Sequence, residues 1–220
     1  FGRPGPKTKF YEHLKVSTAL KAAFVNEVAQ VTWAGKLAPQ TVNLPATAAV
    51  AEIQVFRVTA RAADVSDAVL AAIDKAVRSP ILFEIVGAGE FADQVRMSAT
   101  YKPVVGATKS AYLTTAWLPV SSRRMPLPVA LDLGRLYEAL LAPLLPLPAA
   151  TGESMSEALG RADRVRRLER DLGALERRLR NEPQFNRKVD LRRQVLELKS
   201  QLDTLTSVPT TPTKDPSWTS

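Results

Sequence analysis

Residues 161–205 read RADRVRRLERDLGALERRLRNEPQFNRKVDLRRQVLELKSQLDTL. Val165, Leu168, Leu172, Leu175 and Leu179 recur at spacings of 3, 4, 3 and 4, and Leu191, Val195, Leu198, Leu202 and Leu205 at 4, 3, 4 and 3. Each set is an a/d seam on a helix otherwise dense in arginine and glutamate, the pattern of a coiled coil. Asn181-Glu182-Pro183 interrupts the run. Proline inside a helix costs about 3 kcal/mol or more, yet it fits the first turn of a new one. Two helices of similar length joined by a short turn should fold back on each other. The expectation is an antiparallel hairpin over 157–206. A single rod kinked at Pro183 is the competing arrangement, and the periodicity leaves the number of chains open. Leu168, Leu172, Leu175, Leu179, Phe185, Leu198 and Leu202 are the expected partner-binding residues. Phe185 is positioned to plug the open end of the hairpin, and Asn186 to cap or turn the backbone there.

The same segment carries much of the charge. The chain has a net charge of +8 over 220 residues, and residues 161–203 alone hold 13 basic and 8 acidic side chains. A basic balance favours acidic partners, nucleic acid above all. Arg164, Arg166, Arg167 and Arg170 cluster on the first helix, Arg177, Arg178 and Arg180 follow, and Arg187, Lys188, Arg192 and Arg193 open the second. These eleven are the expected nucleic-acid contacts, which would bind phosphates in a salt-dependent way. The plainer reading is a solvated coiled-coil face, where arginine and glutamate are routine.

Working outward, residues 1–11 read as a flexible basic arm, with Gly2, Pro4, Gly5 and Pro6 beside Lys7 and Lys9. Residues 12–118 read as an α+β domain. Leu14, Val16, Leu20, Phe24 and Val28 make a helical stripe, with Ser17 or Thr18 as caps. Gln30–Leu37 and Ala49–Ala60 suit strands, separated by a loop marked by Pro39, Asn43 and Pro45. A second helix follows over 63–77, capped by Asp64 or Ser66, its stripe built from Val65, Val69, Ala72, Ile73 and Ala76. Ile81–Val86 is an apolar run fit for a central strand. Gln94–Lys102 alternates, with Val95, Met97, Ala99 and Tyr101 on one face, and Ala111–Leu118 would pair with it. The fold class is therefore α+β, a small mostly antiparallel sheet covered by helices on one face, followed by the helical hairpin. Residues 119–156 are a Pro/Leu-rich connector with one helix, and 207–220 a disordered tail.

The chemical inventory is thin. Cysteine is absent and His13 is the only histidine, so disulfides, thiolate metal sites and a serine triad lack their parts. No phosphate-binding glycine loop or HExxH occurs; Gly87-Ala88-Gly89-Glu90 reads as a turn. No metal or cofactor is expected. With no cysteine, no signal pattern and no apolar run long enough to span a bilayer, the expected location is cytoplasmic. The chain opens Phe1-Gly2-Arg3 without methionine, which implies residues upstream. One enzymatic reading stays open, a degenerate metal-dependent nuclease built on Glu52, Glu84 and Asp93, with Gln54 where such enzymes carry lysine. A carboxylate inside the Ile81–Val86 strand is costly unless paired. Arg57, Arg96 or Lys102 on a neighbouring strand would pair with Glu84. Trp33, Trp117 and Tyr101 could stack bases, but such residues are more often core or edge.

Two stretches resemble an uncharacterised bacterial family catalogued as a domain of unknown function. One is Lys21–Leu44, with Thr32-Trp33-Ala34-Gly35-Lys36-Leu37-Ala38-Pro39 and Thr41-Val42-Asn43-Leu44; the other is Gln184-Phe185-Asn186-Arg187-Lys188-Val189-Asp190-Leu191. The resemblance runs from about Phe10 to Leu205. Members are often encoded beside DNA methyltransferases and superfamily-two helicases in restriction-like or phage-defence clusters. It implies a non-catalytic accessory or adaptor subunit docking on such a methyltransferase or helicase, with DNA as a further partner. It supplies no catalytic residues. A stand-alone nucleic-acid binder is the alternative, and a homo-oligomer is compatible with the sequence.

Overall fold

The computed structural model describes residues 3–5, 17–102 and 111–207. The chain divides into two compact units, 1–144 and 145–220.

In the first unit Ser17 starts α1 (Thr18–Glu27), its hydroxyl accepting from the Leu20 N–H. The chain then passes directly into β2 (Val28–Leu37). Val28, expected on the helical stripe, terminates the helix and opens the strand, which suits a β-branched residue. Leu14 and Val16 lie outside the described residues. Residues 3–5, read above as part of a flexible arm, form the edge strand β1 (Arg3–Gly5), antiparallel to Val31–Trp33. Proline is tolerated there because an edge strand need not donate every N–H. A single helical turn, α2 (Pro39–Val42), and a left-handed Asn43 fill the expected loop.

β3 (Ile53–Ala60) pairs antiparallel with β2. It leads through α3 (Asp67–Ala76) to β4 (Ile81–Val86), which lies parallel to β3. A parallel neighbour needs such a crossover. Val65 precedes α3 rather than belonging to its stripe, yet it is buried in the core. Gly87 then turns the chain. A Cβ there would meet the Phe91 carbonyl oxygen at 2.5 Å, so only glycine fits. β5 (Gln94–Ala99) returns antiparallel to β4.

The expected strand over 111–118 is replaced by two short pieces, β6 (Leu113–Thr114) and β7 (Leu118–Pro119), both paired with β5. Between them the Thr115 hydroxyl, not a carbonyl, accepts from the Met97 N–H at 3.0 Å, which interrupts a regular ladder. The order is β1-β2-β3-β4-β5-β6, with β7 also on β5.

The register sorts the faces. Val31, Phe56, Val58, Phe83 and Ile85 share one face and pack with Phe24 of α1 and Val69, Leu70 and Ile73 of α3. Leu82 and Ala99 are paired on the opposite face and are also buried. So β4 is buried on both faces, not one. Ser98 and Thr100 are buried as well, which removes the polar face expected of β5. Past β5 the Tyr137 hydroxyl of α4 (Leu133–Leu141) donates to the Thr100 carbonyl, and the Tyr101 and Tyr137 rings stack. Asp132 caps α4 through the Arg135 N–H.

In the second unit Ser154 and Glu157 form a capping box at the start of α5 (Met155–Asn181). α6 (Phe185–Thr206) follows after Glu182-Pro183-Gln184 and packs against α5, so the hairpin stands and the rod does not.

The core makes a direct prediction. Phe83 is fully buried among the helix-facing residues, and Phe83→Ala should lower the unfolding free energy by about 3–5 kcal/mol in chemical denaturation.

Candidate nucleic-acid interface and the buried carboxylates

An α-helix turns 100° per residue, so the seam of α5 fixes where every other side chain points. Arg166, Arg170 and Arg177 fall opposite the seam, with Arg167 and Arg180 beside them. Between residues 164 and 180 this outward face holds arginine, Gly173 and Ala174, and no acid. Glu169, Asp171 and Glu176 flank the seam instead, and Glu176 pairs with Lys199 of α6 at 3.0 Å. Of the eleven basic residues singled out, all are exposed except half-buried Lys188. Arg166 pairs with Asp163 at 3.5 Å and Arg193 with Asp190 at 3.0 Å, one helical turn away in each case. Arg164, Arg167, Arg170, Arg177, Arg178, Arg180, Arg187 and Arg192 have no carboxylate partner among the described residues.

The seam itself is only partly closed. Leu191 and Val195 are buried, but Leu168, Leu172, Leu175, Leu179, Leu198 and Leu202 are half-buried. Two helices cannot surround their own apolar stripes. A groove of about 450 Å³ is lined by Asp171, Leu175, Arg193, Gln194, Glu197 and Leu198. A second is lined by Arg164, Leu168, Gln201, Thr204 and Leu205. Arg164, Leu168, Asp171 and Leu175 are spaced 4, 3 and 4, so both grooves run along one side of the hairpin. Phe185 does not plug the tip; it is 76% exposed. Gln184, not Asn186, stands at the cap of α6, with no side-chain bond to the backbone there. Val189 and Leu196 are also exposed.

The other end of the hairpin is fastened. Arg161 donates to both Glu153 carboxylate oxygens at 2.8 Å, to the Pro148 carbonyl at 2.7 Å and to the Leu205 carbonyl at 3.2 Å. A cation suits the last turn of α6. The Arg161 hydrogen bonds, with its charge and the Ala150 N–H, hold the Glu153 carboxyl below its ordinary pKa against the opposing effect of burial. Sequence spacing concealed this anchor, because Arg161 read as one more hairpin cation.

The sheet carboxylates are dispersed. Glu84, 6% exposed, accepts from Arg57 at 2.9 Å on the register-paired strand and from Arg124 at 2.5 Å. Arg57 was one of its three expected partners. Arg96 instead pairs with Asp64 at 2.8 Å, and Lys102 with buried Asp74 at 2.5 Å. Arg124 lies 40 residues away in an irregular segment, so strand spacing gives no sign of it.

Glu52 sits in a separate network. It accepts from Lys36, Gln54 and Ser79, while the Gln54 side-chain oxygen accepts from Trp33. Burial pushes its carboxyl up, but these hydrogen bonds and the Lys36 charge together hold it below the ordinary value. Gln54 and Arg57 are an odd number apart on β3, so the Glu52 network and Glu84 lie on opposite faces. Asp93 occupies a left-handed turn before β5. Among the described residues no group of three or more acids or histidines could hold a metal, and the nuclease trio is not brought together. Trp117 stacks on Phe91 at 4.6 Å with the Arg96 guanidinium over it, and Tyr101 is engaged by Tyr137. His13 lies outside the described residues.

These features define an α+β domain bearing a basic, partly open helical hairpin. The chain matches the family described as Domain of unknown function (DUF4391) over residues 1–202, and it belongs to that family. No curated protein and no solved structure matches it. No helix among the described residues is long and apolar enough to cross a membrane.

Two outcomes follow from the charges. Arg57 and Arg124 both reach solvent, so Glu84→Leu leaves no stranded charge and should change stability little. The double variant Arg57→Ala/Arg124→Ala strands Glu84 and should cost about 3–5 kcal/mol in urea unfolding. Secondly, a carboxyl held low in the folded state contributes stability above its unfolded value and loses it as pH falls through the folded one. The helical circular-dichroism signal should therefore weaken in acid below about pH 4, and Glu153→Gln should remove that part of the acid dependence.

Proposed function

We propose that this chain is a non-catalytic accessory subunit of a bacterial DNA-modification or phage-defence complex. The hairpin docks a methyltransferase or helicase partner through its half-open seam and lays the outward face of α5 along DNA. The observation that carries this reading is the arginine-rich outward face of α5, which holds no acid over residues 164–180 and one, Asp163, just before them, paired with Arg166, beside a leucine-floored groove. A solvated coiled-coil surface alternates signs, whereas here five arginines share the outward face over residues 164–180. Along the helix, Arg166 to Arg177 extends about 16 Å, a span over which several backbone phosphates can be met. The groove invites an amphipathic helix, which is how such surfaces bind partners. The neighbourhood implied by the resemblance supplies the class of partner.

The deciding experiment is a native pull-down of the intact chain from host lysate, with and without nuclease. Recovery of a methyltransferase or helicase in both arms supports the accessory role. Recovery of nucleic acid alone favours a stand-alone binder. In a purified DNA-binding titration, Arg166→Gln/Arg170→Gln/Arg177→Gln should flatten the log–log salt dependence by about 0.9 for each phosphate no longer neutralised. Magnesium-dependent cleavage that disappears in Glu84→Ala would instead favour the nuclease.

A further inference from the structure

Residues 177–188, around the hairpin turn, read RRLRNEPQFNRK. They hold five cations, one acid, three side-chain amides and one aromatic ring, a mixture that a seam or a solvated helix face does not need. α5 ends here and α6 begins. Side chains on a helix lean toward its N-terminus, and the N-terminus of α6 is the turn. Phe185, the first residue of α6, therefore points past the end of the hairpin, and its ring stands in solvent. Val189 is exposed one helical turn behind it. Pro183 fixes its own φ and keeps Glu182 in extended backbone, so the ring is carried on a stiff turn.

The charge around the ring is almost all positive. Arg177, Arg178, Arg180 and Arg187 are exposed and have no carboxylate partner among the described residues. Glu182, the single acid, turns back to accept from the Gln184 N–H at 3.0 Å. Asn181, Gln184 and Asn186 present their amides to solvent. An open hollow of about 570 Å³ lies against the last turns of α5, lined by Ala174, Arg177, Arg178, Asn181 and Glu182, within the size range of small-ligand sites. Each part answers one part of a nucleotide. Cations meet the phosphate, an aromatic ring stacks on a base of any identity, and amides match the donors and acceptors of a base edge. A base inside a duplex hides both its faces, so the ring calls for a nucleotide outside one. A bilayer would leave the amides without partners, and a segment that lies in one brings a whole apolar helix face rather than a ring among amides.

We infer that the hairpin tip is a binding site for an unpaired nucleotide, its phosphate held by Arg177 and Arg178 in the hollow and its base stacked on Phe185. The inference rests on the reading above that the outward face of α5 lies along DNA, and it narrows the target. That face follows duplex backbone, and the tip marks where the duplex ends or opens. The ring that residue order assigns to closing the hairpin is left for a ligand.

The test is a fluorescence-anisotropy titration of the intact chain at one ionic strength with a blunt duplex, the same duplex bearing a short single-stranded overhang, and that overhang made of abasic sugars. The abasic overhang keeps every phosphate and removes only the bases. The overhang with bases should bind about tenfold tighter than the abasic one, the effect of one stacked base, whether its sugar is deoxyribose or ribose. Phe185→Ala should erase that difference and leave the blunt-duplex affinity and its salt slope unchanged, while Phe185→Trp should keep it. The ring already faces water, so neither variant should alter the helical circular dichroism. Equal affinity for the two overhangs, or a preference that survives in Phe185→Ala, would overturn the inference and leave the duplex reading standing. Absence of binding to all of them would remove both. Co-sedimentation with phosphatidylserine vesicles that Phe185→Ala abolishes would overturn the inference in favour of a lipid surface.

Discussion

A carboxylate in the middle of a sheet is tolerated only while cations reach it, and Glu84 is such a carboxylate. It lies on β4, the strand buried on both faces. Arg57 meets it across the parallel pair because the register leaves no other residue opposite. That arrangement needs α3 to carry the chain back to the start of the sheet, so the ion pair and the βαβ unit stand together. Arg124 completes the clamp from a stretch with no regular structure of its own. The connector is thereby fixed to the sheet by a side chain where it has no ladder.

The hairpin obeys a different constraint. Two helices can bury one seam against another only along a line, and the leucines on either side of that line stay half in water. The chain covers part of its seam with long charged side chains such as Lys199 and Glu176 and leaves one side open. Arginine on the outward face is not needed to hold the pair together, since the groups that fasten it are at the root, around Arg161. Cations that make no internal bond are available for external use.

Much of this was legible in residue order. The a/d spacing gave both hairpin helices, and Pro183 gave the turn. The apolar run Ile81–Val86 gave the central strand, because five consecutive buried positions demand five apolar or neutralised side chains. What the residues hid was non-local. The alternation of β5 pointed to one wet face, yet Ser98 and Thr100 are buried by neighbours distant in sequence. The strand expected over 111–118 dissolved into fragments because a threonine hydroxyl competes with the ladder. Of the candidate carboxylates, spacing could show that they exist but not which face each takes. Arg124 and Arg161 gave no signal, since an arginine that anchors and one that floats look alike in a string of letters.

The uneven fastening of the hairpin has a kinetic side. At the root, a capping box and a four-bond guanidinium bracket join the start of α5 to the end of α6. At the turn, Phe185 hangs in water and Gln184 supplies no side-chain cap. A zipper closed at one end opens from the other. Amide hydrogens near 180–187 thus exchange through small local openings, while those near 158–165 wait for the whole pair to separate. The tip can reshape itself on a bound surface without loosening the root that carries it.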